Sequence, residues 1–200
     1  MPNRRSSSRP QDNRVRFLVF VEGDTEDQYL KYWARQYRER VVLSVDRRRV
    51  DPRSTVKNAC KELREETRER RSTTGKPPLQ VWCVFDRDEH CHLPEAFQMA
   101  ADHDVHIAFS NPCLELWFWL HLHTQTAEID RHVVQNLAYD ALRCYKAALS
   151  PEALKRLQAS FDLAASRASS LANRHELNGS CRYSNPSSNL HELIAALGSA

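Results

Sequence analysis

The sequence predicts an α/β fold with a mainly parallel sheet, and three observations carry that reading. Two continuous apolar runs, 17–21 and 81–85, have the character of strands buried on both faces. Segments with apolar residues at helical spacing alternate with such runs, as strand–helix–strand crossovers require. The chain has only four glycines in 200 residues, too few for the tight turns of a β-sandwich or barrel. With 41% hydrophobic residues it can bury one ordinary core.

Taken in order, Phe17-Leu18-Val19-Phe20-Val21 reads as the first strand, followed at once by Glu22-Gly23-Asp24-Thr25-Glu26. Asp24 or Thr25 is suited to cap a helix carrying Tyr29, Leu30, Tyr32, Trp33 and Tyr37 at helical spacing. A second strand is expected over 41–45. Pro52 and Ser54 open a highly charged helix over roughly 55–70, with Val56, Ala59, Cys60 and Leu63 as a narrow apolar stripe. Residues 72–78 have the composition of a loop. The run 81–85 is the third strand and ends directly in Asp86-Arg87-Asp88. A helix over 93–103 and a strand over 105–109 follow. Ser110-Asn111-Pro112 is expected to start the next helix with proline at its first position. Further helices are expected over 130–148, 151–173 and 189–197. About four strands thus occupy 15–110 and a helical segment 111–200, as one domain behind a short tail, 1–14.

Charge is unevenly spread. Residues 1–16 hold five arginines and one aspartate, leaving 24 of the 29 basic and 25 of the 26 acidic residues elsewhere. The net charge of +3 therefore resides in a Ser/Arg/Pro-rich tail without apolar periodicity, expected to be disordered. Such a tail can touch phosphates or serve only to solubilise, so charge by itself does not establish nucleic-acid binding. The six cysteines show no Cys-x-x-Cys spacing, and Cys83 and Cys113 lie in apolar contexts, the usage of reduced thiols in a cytoplasmic protein. No apolar stretch follows the N-terminal arginines, so no signal peptide is read. The most apolar segment, 114–122, is interrupted by Glu115 and His121 and is too short to span a bilayer. A soluble cytoplasmic protein, with no membrane partner and homo-oligomerisation left open, is the expectation.

The chemistry lies where strands end. In an open parallel sheet, residues just past the carboxyl ends of strands line the ligand crevice. Glu22-Gly23 follows one apolar strand and Asp86-Arg87-Asp88 another. In an extended stretch Asp86 and Asp88 project to the same side, with Arg87 opposite. If the two strands are neighbours, three carboxylates converge, a costly arrangement unless a cation neutralises them. Mg²⁺ (or Mn²⁺) suits such all-oxygen sites and completes its shell with water and phosphate. Gly23 permits a tight turn and close approach of substrate. Taken singly, each acidic residue is as well explained as a cap or a solvated turn; their ordered combination is more specific.

These residues resemble the Toprim domain shared by topoisomerases, primases, recombination factors and overcoming-lysogenization-type nucleases. A closer resemblance is to the RloB-like family of small Toprim-related proteins from prokaryotic restriction and abortive-infection loci. It rests on Val21-Glu22-Gly23-Asp24-Thr25-Glu26, Val84-Phe85-Asp86-Arg87-Asp88, Ser110-Asn111-Pro112-Cys113-Leu114-Glu115-Leu116-Trp117 and Asn185-Pro186-Ser187-Ser188-Asn189. The first two motifs are generic to Toprim proteins, and the last two sharpen the likeness. The resemblance implies a Toprim-like fold, with Glu22 in acid/base or metal chemistry and Asp86 and Asp88 as metal ligands. It further implies a nuclease-like role in phage defence, often beside a partner ATPase.

Other residues enter by their surroundings. Glu115 stands in a helix otherwise made of Leu, Trp and Phe, where a carboxylate must be paired, hydrogen-bonded or bound to metal; it is read as a second metal ligand or general base. Glu26 is explained by its helix dipole or as a supporting catalytic carboxylate. His90-Cys91-His92 lacks the second Cys/His pair that structural zinc needs, leaving His90 as a phosphate contact. Ser110, Asn111 and Ser188 are helix caps by composition and candidate phosphate contacts at helix N-termini. Trp82, Trp117, Phe118 and Trp119 are assigned to the core, because consecutive aromatics on a helix cover too wide an arc for one ligand. The function read from all this is a Mg²⁺- or Mn²⁺-dependent nuclease acting on DNA or RNA, tRNA included. Nucleotidyl transfer and a non-catalytic nucleic-acid-binding or regulatory subunit remain as alternatives.

Overall fold

A computed structural model describes residues 13–47, 50–72, 77–87, 93–144 and 148–200. Expectations for the tail up to residue 12, and for Asp88, His90, Cys91 and His92, lie outside these described residues.

The apolar runs form strands as expected. These are β1 (Val15–Val21), β2 (Val41–Arg47), β3 (Leu79–Asp86) and β4 (His106–Asn111), with a short β5 (Ser187–Ser188). The sheet order is β2-β1-β3-β4-β5, parallel throughout except for the antiparallel β4–β5 pair. The expectation of about four mainly parallel strands therefore holds, with β5 as an addition. Two residues carry no readable periodicity, and pairing alone makes them a strand: Ser110 lies opposite Ser188 and Asn111 opposite Ser187.

Alternating side chains divide the sheet into two apolar faces. Phe17, Val19, Val21, Trp82, Val84 and Ala108 pack beneath α1 (Asp24–Gln36), α4 (Leu114–Leu122) and α8 (Leu190–Ser199). Phe20, Val81, Cys83, Phe85 and Phe109 face α2 (Pro52–Ser72) and α3 (Leu93–Asp102). The crossover from β1 to β2 thus runs over one face, and those from β2 to β3 and from β3 to β4 over the other. This is what right-handed connections demand when the strand order reverses. The reversal falls between β1 and β3, the position at which an open α/β sheet opens a crevice beyond its strand ends.

α4 is apolar apart from Glu115 and His121, and it sits between the sheet and the C-terminal helices α5 (Arg131–Leu142), α6 (Pro151–Ala159) and α7 (Phe161–Leu177). Trp82, Trp117 and Phe118 belong to the core as expected, while Trp119 is partly buried and stacks on His123. The Trp117 indole donates to the Tyr29 hydroxyl at 2.8 Å, tying α4 to α1. Arg167 donates to the Leu120 carbonyl at 2.7 Å, a cation on the C-terminal end of α4. Cys60, Cys83 and Cys113 are buried free thiols. Among the described residues, no helix is long and apolar enough to cross a membrane.

Three local expectations are corrected. The first helix begins at Asp24 with Gly23 at its N-cap and no side-chain cap; Asp24 instead pairs with Arg47 on β2. The segment 151–173 divides into α6 and α7, because Ser160 closes the first and precedes the second. Ser110 and Asn111 do not cap α4. They belong to β4, where pairing with β5 holds them extended, and the helix starts at Leu114 after Cys113.

Asn189 fastens this edge. Its side chain accepts from the Phe109 N–H at 2.6 Å and donates to the Ile107 carbonyl at 2.9 Å, while its own N–H reaches the Phe109 carbonyl. Asn189→Ala leaves buried β4 backbone groups without partners, at about 1–3 kcal/mol each. A loss of roughly 2–4 kcal/mol by urea denaturation is the expected outcome; an unchanged midpoint would refute the fastening role.

Candidate functional site

Four carboxylates meet beyond the carboxyl ends of β1 and β3. Glu22 is the first residue past β1 and Glu26 stands in the first turn of α1. Asp86 ends β3, and Glu115 occupies the first turn of α4. Phe20 pairs with Cys83, so the neighbouring strands end close together. Alternation turns Asp86 to the side of Trp82 and Val84, the face covered by α1 and α4. The Leu114 backbone amide at the start of α4 favours the charged form of the Asp86 carboxylate, though less than burial and the neighbouring carboxylates oppose it. A helix N-terminus thus meets a carboxylate, as its dipole favours.

Asp86 and Glu115 are only 8% and 7% exposed, so their mutual repulsion is felt in a partly dehydrated space. Burial, foremost, and then Glu26 push the Glu22 carboxyl up to about 7, while Arg131 opposes them. Glu26 is raised mainly by burial, with Glu115 and Asp24 adding to it against the local backbone amides. Asp86 is raised well above the ordinary carboxylate range by burial, then by Glu26, Glu115 and Glu22. The neighbouring Cys113 thiol is pushed up by burial and the same negative field, which keeps it protonated.

The counterbalance comes from α5, a helix outside the expected site. Arg131 Nη2 lies 3.6 Å from Asp86 Oδ2. The Tyr139 hydroxyl donates to Glu115 Oε1 at 2.6 Å, and Gln135 Nε2 donates to Glu115 Oε2 at 3.4 Å. Arg131, Gln135 and Tyr139 recur every four residues, which puts them on one stripe of α5. That spacing is present in the sequence, but nothing local tells which stripe of α5 faces a carboxylate. Glu115 is therefore the hydrogen-bonded buried carboxylate that its apolar neighbours required.

Of the other expected residues, Gly23 lies beside Glu26, and a Cβ there would come within 2.8 Å of Glu26 Oε2. Its smallness accommodates a neighbouring carboxylate. Its backbone is extended, so no left-handed turn is involved. Ser110 and Ser188 are buried and hold each other, oxygen to oxygen, at 2.9 Å. Asn111 donates to the Tyr183 carbonyl at 2.8 Å. These three side chains fasten the sheet edge, and their internal partners account for their polarity.

Among the described residues, no group of three or more Cys, His, Asp or Glu side chains is placed to hold a metal ion. The donor set nevertheless has the chemistry of a hard cation, because it is all carboxylate oxygen. One atom has the character of a waiting ligand: Glu22 Oε1 is buried without a hydrogen-bond partner among the described residues.

Fold and site together define an α/β protein with an acidic cluster at the reversal point of a mainly parallel sheet. The chain belongs to the RloB-like protein family, whose model matches residues 17–197. Neither a curated protein nor a solved structure matches it.

The raised carboxyls set a pH dependence. A group holding its proton more tightly when folded stabilises most below its unfolded value and loses that contribution as pH rises through its folded value. Glu22 spans the window from 4.5 to about 7, and Glu26 and Asp86 act in the same direction. In chelator, thermal stability should fall across that window. Glu22→Gln should flatten the slope and raise stability at about pH 8 by on the order of 1–2 kcal/mol, discounted for partial exposure. A variant with the parent slope would contradict the assignment.

Proposed function

We propose that this chain is a Mg²⁺- or Mn²⁺-dependent nuclease cleaving phosphodiester bonds of DNA or RNA in the crevice beyond β1 and β3. The observation that carries the reading is the convergence of Glu22, Glu26, Asp86 and Glu115 at the point where the strand order reverses. Glu22 and Asp86 are the metal ligands within the described residues, joined by Asp88 on the family resemblance. When bound, the cation polarises the phosphate and stabilises the attacking and leaving oxygens. Glu115, held by Tyr139 and Gln135, presents a fixed acceptor for orienting a water, with Glu26 as the supporting carboxylate.

The resemblance extends the reading to anti-phage defence, with a partner ATPase encoded nearby. This chain has no G-x-x-x-x-G-K-[ST] phosphate loop, so any ATP hydrolysis in such a system comes from elsewhere.

The test is to incubate purified protein with labelled tRNA and labelled DNA in Mg²⁺ or Mn²⁺. Cleavage is expected, with Glu22→Ala and Asp86→Ala each lowering it by about 10²–10⁴-fold. Absent activity, with or without the partner ATPase, or activity that survives both substitutions, rejects the nuclease. Separately, Mn²⁺ should raise the thermal midpoint above neutral pH by mass action on the folded state, and Asp86→Asn should abolish that gain.

A further inference from the structure

Asn185-Pro186-Ser187-Ser188-Asn189 carries β5 and leads into α8, and most of its polar side chains are spent inside the fold. Asn185 is bound to both backbone groups of Ile129, at 3.2 and 2.9 Å, Ser188 holds Ser110, and Asn189 fastens β4. Ser187 is the exception. It is 3% exposed, yet its hydroxyl has no hydrogen-bond partner among the described residues. A buried hydroxyl left unpaired is costly, and its place in a fold calls for a reason.

Ser187 borders a cavity of about 170 Å³ set between α7, the outer edge of β5 and the first turn of α8. Alternation along β5 sends Ser188 toward Ser110 and Ser187 to the opposite side, that of Asn111 and Tyr183. The volume falls below the roughly 300–1,000 Å³ of pockets for drug-sized ligands and suits one compact polar group. Two further donors border it. Arg182 Nη2 lies 3.6 Å from Glu192 Oε1, and its Nε lies 3.9 Å from Glu176 Oε1. Both separations exceed the roughly 2.7–2.9 Å of a charge-assisted hydrogen bond, so the guanidinium is attracted to the carboxylates without spending its N–H groups on them. His191 Nε2 lies 3.3 Å from Ser169 Oγ, while its Nδ1 is buried without a partner among the described residues. Burial holds this imidazole below its ordinary value, against Glu192, and when Ser169 donates to Nε2 the neutral ring carries its N–H on Nδ1. The backbone adds little, because the Asn189, Leu190 and Glu192 amides are already engaged. A ligand here is met by side chains.

We propose that this cavity is a phosphate-binding site, with Ser187 and His191 donating from inside it and the Arg182 guanidinium closing on the anion from the rim. A tetrahedral phosphate has oxygens for all three donors, and the α8 dipole supports it. Glu192 opposes binding, since its charge repels the anion and competes for Arg182. Ser188, Ser110 and Asp86 stand side by side on β5, β4 and β3, which sets the cavity two strand spacings, roughly 10 Å, from the acidic cluster. A phosphate of a nucleic-acid chain crossing that end of the sheet and the phosphate of a free mononucleotide share this chemistry. The inference does not rest on the nuclease reading, because it needs neither metal nor cleavage.

The experiment titrates inorganic phosphate and AMP calorimetrically into the full chain in chelator, with adenosine as the phosphate-free control. Labelled single-stranded RNA and DNA are followed by anisotropy under the same conditions. Phosphate and AMP should bind, and adenosine should not. Ser187→Ala should weaken phosphate binding by about 10-fold and Arg182→Gln by about 10–100-fold. Glu192→Gln should tighten it, because a competitor for Arg182 has gone. Ser187→Ala should keep or exceed the parent thermal midpoint, since the hydroxyl it removes has no partner, so its loss of binding is not a loss of folding.

Displacement of oligonucleotide by phosphate in the parent, lost in Arg182→Gln, keeps the inference and makes the ligand a phosphate of the nucleic-acid chain. Phosphate or AMP binding without such displacement keeps it too and makes the ligand a free phosphate or mononucleotide. The proposal is overturned by absence of saturable phosphate and AMP binding, by binding indifferent to both Ser187→Ala and Arg182→Gln, or by weaker binding in Glu192→Gln. Phosphate binding in a chain that cleaves nothing keeps this inference and removes the nuclease. Cleavage that depends on Glu22 and Asp86, in a chain that binds no phosphate in chelator, does the reverse.

Discussion

Repulsion among Glu22, Glu26, Asp86 and Glu115 is the constraint around which the carboxyl edge of the sheet is organised. In a partly dehydrated crevice the Glu22, Glu26 and Asp86 carboxyls are raised, and the fold must hold the cluster together against its own repulsion. They come from the turn after β1, from α1, from β3 and from α4, segments spread over the chain. The offsetting contacts are distributed as well: Tyr139 and Gln135 on Glu115, and Arg131 facing Asp86. An arrangement that strains against its own charge in this way has the character of a site prepared for a ligand.

α4 does most of the holding. Leu114, Leu116, Trp117, Phe118 and Leu120 are all buried, so the helix is gripped from the sheet, from α1 and from the C-terminal helices. Only because it is gripped can its first turn carry Glu115 into the cluster. The C-terminal helices are therefore part of the site. They clamp α4, and α5 contributes polar side chains directly. β5 and Asn189 complete the edge by satisfying the backbone of β4, next to the strand that bears Asp86.

Much of the fold was legible along the chain. β1 and β3 announce themselves as unbroken apolar runs, the pattern of strands covered on both faces. Their abrupt ends in Glu22 and Asp86 locate the crevice. Glu115 was legible by contrast, as a carboxylate among Trp, Phe and Leu. Ser110 and Asn111 misled because their composition suits a helix cap and a strand edge equally, and only the partner strand, nearly eighty residues on, decides between them. The boundaries of α6 and α7 were hidden for a similar reason, since one apolar periodicity continues across Ser160.

What the sequence determined by itself was the order of elements, the apolar faces and the carboxylates that terminate strands, since all of these follow from local periodicity and its interruptions. What only tertiary structure decided was the company those carboxylates keep. That Asp86 faces Arg131, that Tyr139 and Gln135 satisfy Glu115, and that Asn185 grips Ile129 depend on side chains dozens of residues apart. Periodicity reports which face of a helix is apolar. It does not report which polar residue on the remaining arc meets a charge, because that is set by the angle at which two distant helices pack.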